Sequence, residues 1–368
     1  MSNILTIALT GDLVLDEPEP GHWLSGIAPA LHAADIGMGH LEVPHTQCSA
    51  ELQGDVPAPG APPEHLDALA RSGFDMVSLA GNHIADCGAE GIAETIARLD
   101  NLGIAHAGAG ANLAMARAPA IVERRGLRVA LLSYNCVGPE AAWAARGRAG
   151  CAYLRIETDD GAPVSPARKL GSMAADVPAI LESDIGAARR QADFVIVALH
   201  KGIVHTPALL APYEIPVARA AIDAGADAVA GHHAHIVRGI ELYRGRPIFH
   251  GLGNGCVVTR ALSPDQDHPA RREWAERRKA MFGFEPDPAY ELAPFHPEAV
   301  NAFIGHLAVT VDGTVVPSVI PVHVEAPGRP VLAAGERKSE IARYIERITV
   351  QGGLPPIAIL PDGRIEAA

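Results

Sequence analysis

Aromatic residues make up only 4% of this 368-residue chain, within a hydrophobic fraction of 48%. A ring-stacked core is therefore excluded, and the interior has to be built from Ala, Val, Ile and Leu. Cysteine is equally sparse. Cys48, Cys87, Cys136, Cys151 and Cys256 are odd in number, widely separated and form no C-x-x-C pair. That excludes a disulfide framework and a thiolate zinc site, and fits a reducing compartment. No uninterrupted apolar run reaches the roughly 18 residues of a spanning helix. The start of the chain, before the apolar run 4–10, has no basic region of the signal-peptide kind. A soluble cytoplasmic protein with no membrane partner is expected. Basic residues are outnumbered, 30 Lys and Arg against 43 Asp and Glu, for a net charge of −13. Clustered cations that would neutralise nucleic-acid phosphates are missing, so a nucleic-acid partner is not expected. What the chain does have is 37 Gly and 30 Pro, which imply many loops, and 17 His, which need a chemical explanation.

Short apolar, β-branched runs alternate with longer helical patterns, the signature of a layered α/β fold. Strands are expected over 4–10, 36–39, 75–80, 128–134, 194–200, 227–231 and 247–251. Helices are expected over 63–71, 88–102, 178–192, 212–224 and 336–348. The 88–102 helix carries Ile92, Ile96, Leu99 and Leu102 at three- and four-residue spacings, with Asp86 as a plausible N-cap. Strands 306–311 and 315–321 are joined by Asp312-Gly313, a hairpin signal. Two segments break the alternation, 137–177 and the charged 259–299, which contains His268, Trp274 and His296. They read as insertions in a core domain over 1–323, the second as a lid or as solvated surface. Residues 324–368 would form a helix and tail packed on that core.

Polar residues collect where the predicted strands end, the place where open α/β sheets form ligand crevices. Asp12 follows the first strand, His40-Leu41-Glu42 the second, Gly81-Asn82-His83 with Asp86 the third, His200-Lys201-Gly202 a later one and His232-His233-Ala234-His235 the next. Singly, each is an ordinary turn residue, cap or structural histidine. Three imidazoles within residues 232–235 have little use in packing and much in metal ligation. Imidazole and carboxylate donors without thiolate suit Zn, Mn or Fe, and do not suit an all-oxygen calcium cage. Two such ions close together would polarise a substrate oxygen and acidify a water, which is hydrolase chemistry.

At these residues the sequence resembles the CapA-type family of poly-γ-glutamate capsule biosynthesis proteins (PGA_cap), within the calcineurin-like metallophosphoesterase superfamily. Gly11-Asp12, His40-Leu41-Glu42, Gly81-Asn82-His83 through Gly88, Leu199-His200-Lys201-Gly202, Gly225 through His235, and Leu252-Gly253-Asn254 carry the match, in order over roughly residues 4–255. The resemblance implies an α/β, metallophosphoesterase-like sandwich of two mixed β-sheets flanked by helices, with a dinuclear metal site at the strand ends. Carried over residue by residue, it implies Asp12 and His235 on one metal and Asn82, His200 and His233 on the other, with Glu42 bridging. His83 resembles the residue that contacts substrate and protonates the leaving group or stabilises the transition state. Asp86 is either its partner or only the helix cap.

The departures from that pattern matter as well. Where metallophosphoesterases open with Asp-x-His, this chain reads Asp12-Leu13-Val14. The family's Asn-Leu-Glu becomes His40-Leu41-Glu42, so His40 is a candidate replacement ligand. Its His-Trp-Gly becomes His200-Lys201-Gly202, and its Tyr-Ser before Leu-Gly-Asn becomes His250-Gly251. Lys201, either an anion contact or an exposed loop lysine, joins His205, His232 and His250 as the candidate substrate-binding residues, with Arg238 and Arg246 as weaker anion contacts. The expected activity is a metal-dependent hydrolase acting on a small, anionic phosphoester, amide, ester or lactone. The alternative is a non-catalytic accessory protein that binds an anionic polymer such as polyglutamate.

Overall fold

Alternation inside the apolar runs builds two sheets that share one interior. In the computed structural model, which describes residues 4–52 and 55–368, the first strand is Ile4–Leu15. Its Leu5, Ile7 and Leu9 enter the core between the sheets, while Ala8 belongs to the outer core under the helices. The two-residue period of an extended chain sends neighbours to opposite faces. Phe194–Lys201 obeys the same rule: Ile196 and Ala198 face inward, Val195, Val197 and Leu199 outward. Both faces of this strand are covered, so it reads as a continuous apolar run.

The first sheet has eight strands, in the order Arg329–Leu332, Val315–Glu325, Asn301–Thr310, Ile4–Leu15, Ile36–Leu41, Met76–Ser78 and Ala105–Ala107, with Asn254–Val258 also pairing with Ile4–Leu15. The second has six, in the order Val237–Tyr243, Arg246–Leu252, Ala228–His233, Phe194–Lys201, Leu127–Asn135 and Ala120–Arg124. In the first sheet the pairs from Ile4–Leu15 through to Ala105–Ala107 are parallel and those from Arg329–Leu332 through to Ile4–Leu15 antiparallel; in the second the central pairs are parallel and the two edge pairs antiparallel. The result is the expected sandwich of two mixed sheets, and Phe249 meets Phe303 across it at 5.8 Å between ring centroids.

Ile4–Leu15 outruns its predicted end at Thr10 because Asn254–Val258 lies parallel beside it. The approach is close enough to require glycine: a Cβ on Gly11 would sit 1.8 Å from the Gly253 carbonyl oxygen. Register shifts occur between Leu9 and Asp12 against Ile36–Leu41, and between Asp12 and Leu13 against Asn254–Val258. Such irregularities re-aim a side chain, and here the side chain is Asp12.

Gly88–Leu102 is helical over the predicted residues, but its N-cap is Cys87, without a side-chain cap bond. Asp86 is not the cap; its carboxylate is taken by His83 and by the Ala58 amide. Segment 137–177 is not a detached insertion, since Val137, Trp143, Cys151, Leu154, Ile156 and Val164 are buried in the outer core. Segment 259–299 holds the helix Pro269–Phe282 and buries Phe284, Leu292 and Phe295. The C-terminal helix Gly335–Gln351 sends Ile341, Tyr344, Ile345 and Ile348 into the inter-sheet core. Residue 323, where the core domain was expected to end, lies inside strand Val315–Glu325. No helix among the described residues is long and apolar enough to cross a membrane.

Candidate metal centre

Parallel pairing carries the polar strand ends to one pole. Asp12 is in register with His40 on one side and Asn254 on the other, and His40 with Ser78. In the second sheet His200 aligns with His232 and Lys201 with His233. Donor atoms of Asp12, His40 and His200 lie within 4.8 Å of one another, as do those of Glu42, His200 and His233, and those of Asp12, Glu42 and His235. Asn82 joins them, its Oδ1 lying 2.6 Å from His200 Nε2. The sequence-predicted ligand residues thus meet in one cluster drawn from both sheets.

Buried polar atoms normally have partners. Here His40 Nε2, Glu42 Oε2, His200 Nδ1 and His233 Nδ1 are buried without a hydrogen-bond partner among the described residues, and Glu42 Oε1 faces His235 Nε2 at 3.3 Å. Their neighbours hold them in place. Ser78 Oγ is 2.9 Å from His40 Nδ1, and Asn82 Nδ2 donates to Asp55 Oδ2 at 2.8 Å, which turns the amide oxygen toward His200. The His233 amide donates to both Asp12 oxygens at 3.2 Å, and His235 Nδ1 is 2.9 Å from Asn254 Oδ1. His233 and His235 adopt φ of 85° and 53°, left-handed conformations that are costly for non-glycine residues and recur at functional sites. Unpartnered imidazole nitrogens and carboxylate oxygens converging in a buried place are a donor set that fits divalent cations.

The electrostatics of the cluster follow from that burial. Burial and the adjacent Glu42 push Asp12 up to about 8. Burial opposes the charge on Glu42 too, but His235, with Nε2 3.3 Å from Oε1, holds this carboxyl well below its usual range. His235 is in turn raised to about 9, the Glu42 charge outweighing burial. Burial first, then neighbouring imidazoles, keep His40 and His200 neutral and bring His233 down to about 3. Neutral imidazoles present free lone pairs.

His83 lies at the rim, its side chain 20% exposed, with Nδ1 2.7 Å from Asp86 Oδ2. Burial alone would lower its pKa; the Asp86 carboxylate overrides this and, with Asp55 and Glu42, raises it to about 10. Phe295 from segment 259–299 stacks on His235, ring centroids 4.9 Å apart. His268 and His296 play local parts: His268 accepts from the Arg271 amide at the start of Pro269–Phe282 and meets Glu51 at 2.8 Å, and His296 accepts from the Glu298 amide.

The candidate substrate residues are interior instead. Lys201 and His250 have no exposed side-chain surface. Lys201 Nζ donates to Glu214 Oε2 at 2.9 Å and to the His250 carbonyl at 3.1 Å, while His250 Nε2 is 3.3 Å from Glu241 Oε2. Lys201 is therefore neither a loop lysine nor an anion contact. His232 is 2% exposed and stands behind His40, with Nε2 3.2 Å from the Thr10 carbonyl. His205 is 4% exposed and is ringed by Phe282, Phe284, Phe295 and Trp274. Arg238 is spent on the carbonyls of Ile203, Thr206 and Leu209, and Arg246 on Asp227 and the Gly313 carbonyl. Sequence reasoning missed Ser78, Asp55 and Phe295. Ser78 could have been found as the third-strand neighbour of His40; Asp55 and Phe295 arrive from loops that carry no periodic signal.

A family model described as "Bacterial capsule synthesis protein PGA_cap" matches residues 6–257. A probable polyglutamine synthesis accessory protein of Mycobacterium tuberculosis is 36% identical over 196 residues, covering 52% of this chain and 47% of that protein. An uncharacterized protein of Sinorhizobium fredii is 30% identical over 312 residues, covering 68% and 65%. The PGA biosynthesis protein CapA of Bacillus subtilis is 28% identical over 230 residues, covering 62% and 54%. The chain thus spans about half the length of the first of these relatives. Among solved structures, the calcineurin-like phosphoesterase YfkN of Bacillus subtilis aligns with a TM-score of 0.40 and 12% identity, over 96% of this chain and 98% of that one.

Proposed function

The chain belongs to the PGA_cap family of bacterial capsule synthesis proteins, and from that premise we propose that it is a metal-dependent hydrolase acting on a small anionic phosphoester, amide, ester or lactone. The observation that carries this reading is the cluster of buried, unpartnered donor atoms at one pole of the sandwich. Asp12, Glu42, Asn82, His200, His233 and His235 would hold two divalent ions of the Zn, Mn or Fe type. When bound, such ions supply Lewis-acid polarisation and lower the pKa of a water.

The chain's own residues do the remaining work. Asp86, fixed by the Ala58 amide at 2.6 Å, anchors His83 through Nδ1. That leaves Nε2 as the atom that gives a proton to a leaving group or stabilises negative charge as it develops. Protonation up to about pH 10 keeps the donor loaded at neutral pH. Asp55 keeps the Asn82 amide from turning, and the aromatic side of the site, Phe295 on His235, keeps water from that edge.

A second reading, a non-catalytic accessory protein for an anionic polymer, is favoured by the relatives' names and by Val14, which stands where metallophosphoesterases have histidine. One experiment separates the two: metal analysis of the purified protein with a screen of p-nitrophenyl phosphate, a phosphodiester, an anilide and a lactone. Metal-dependent turnover of any of these supports the hydrolase, and its pattern identifies the bond. Bound metal without turnover supports the accessory role.

A further inference from the structure

We propose that His40 is itself a metal ligand, and that it makes the centre nitrogen-rich, favouring zinc or ferrous iron over manganese. This rests on the metal-dependent reading above. Three independent features of His40 point the same way. It is 1% exposed, yet its Nε2 has no hydrogen-bond partner among the described residues, which is a standing cost for a buried polar atom unless something else engages it. Its other nitrogen is committed, Nδ1 lying 2.9 Å from Ser78 Oγ, so the ring is oriented with Nε2 inward. And its donor atom lies within 4.8 Å of donors from Asp12 and His200, all three buried.

The surroundings are shaped for that nitrogen. A Cβ on Gly81 would come within 2.8 Å of His40 Nε2 and 3.4 Å of His200 Cε1, so glycine at 81 leaves the space in which the two imidazoles converge. The His40 and His200 rings lie 4.5 Å apart, tilted by 38°. The strand carrying Asp12 offers no histidine of its own: Val14 is buried in an apolar cluster with Val43, Ala61 and Val257. Register supplies one from the next strand, where His40 pairs with Asp12 directly. With His40 counted, the donor residues are His40, His200, His233 and His235 against the carboxylates Asp12 and Glu42 and the amide of Asn82. Imidazole suits zinc and iron, whereas manganese favours carboxylate and water oxygen.

The test is a competition titration of the full chain with Zn²⁺ and Mn²⁺ against a chromophoric chelator, on wild type, His40→Ala, His40→Gln and Ser78→Ala. Zinc binds more tightly than manganese at almost any such site, so the ratio between variants is the informative quantity. His40→Ala should weaken one equivalent of zinc by about 100-fold or more, beyond the roughly 10–100-fold expected for the orienting Ser78→Ala. His40→Gln, which offers an amide oxygen, should lower the zinc-to-manganese affinity ratio by about tenfold. Should His40→Ala not fold, the glutamine and serine variants still decide the matter. Variants that titrate like a metal-binding wild type overturn the role of His40 alone. A wild type that takes up neither ion overturns both this inference and the hydrolase reading.

Discussion

Replacing Lys201 by Met should destabilise the protein without touching substrate recognition. The Lys201 ammonium and the Glu214 carboxylate are both fully enclosed, 2.9 Å apart, and the ammonium also donates to the His250 carbonyl at 3.1 Å. Lys201→Met leaves the Glu214 carboxylate buried with the Ala211 amide at 2.7 Å and the charge of Arg238 nearby. Breaking a buried pair from one side costs about 3–5 kcal/mol, because the surviving charge stays out of water. For a chain of 368 residues, an unfolding entropy near 2.1 cal/mol/K per residue gives about 0.8 kcal/mol/K, so Tm should fall by about 4–6 °C. The double variant Lys201→Met, Glu214→Leu removes both charges and should recover most of that loss. The pH dependence has a definite sign. In the wild type burial works to raise Glu214, but Lys201 and Arg238 hold it below its ordinary 4.5, so the pair's contribution is present above that value and is lost only in stronger acid. In Lys201→Met the lone carboxyl is raised instead, so the deficit is largest near neutral pH and shrinks as Glu214 protonates. Calorimetry of the metal-free protein between pH 4 and 8 reads all of this. An unchanged Tm together with a raised KM would refute the reasoning and return Lys201 to the substrate.

Metal uptake should be proton-linked. In the metal-free protein Asp12 titrates near 8 and His235 near 9, so at neutral pH both hold protons that a cation must displace, and affinity should climb from pH 6 toward 9. Calorimetric titration in buffers of different ionisation enthalpy measures the protons released; a flat affinity across that range contradicts the ligand assignment. His83→Ala should cut kcat by about 10²–10⁴-fold while bound metal stays unchanged, and Asp86→Asn should reproduce part of the loss by releasing Nδ1. Metal analysis beside single-turnover rates checks the pair, and full activity in His83→Ala removes His83 from the chemistry.

The fold was legible to the extent that its strands are buried on both faces. The runs 36–39, 128–134, 194–200 and 247–251 each fall within an observed strand, and 227–231 overlaps Ala228–His233 in all but its first residue, because continuous β-branched and aliphatic stretches have few other uses. Ends were less legible. Thr10 looks like a terminus since Gly11-Asp12 is turn chemistry, yet the chain continues because a strand from residues 254–258 pairs alongside. Segment 137–177 looked like an insertion for its glycines and prolines, while Trp143, Leu154 and Val164 carry it into the core.

The candidate site divides along the same line. Histidines and carboxylates at successive strand ends, in an order that resembles one family, set by sequence alone which donors were on offer and that they would share one pole of the molecule. Which of them face one another was a tertiary decision. On Phe194–Lys201, His200 and Lys201 leave on opposite faces, one to the candidate metal centre and the other to Glu214. His233 is in register with Lys201, yet its ring lies 4.7 Å from that of His200, the left-handed φ of 85° having broken the alternation. Nothing local announces that turn. At that turn the His233 amide donates to the Asp12 carboxylate of the other sheet, a contact 221 residues away in the chain. Sequence determined the chemistry available; packing between the sheets decided which polar groups would be satisfied internally and which would be left with a free donor atom.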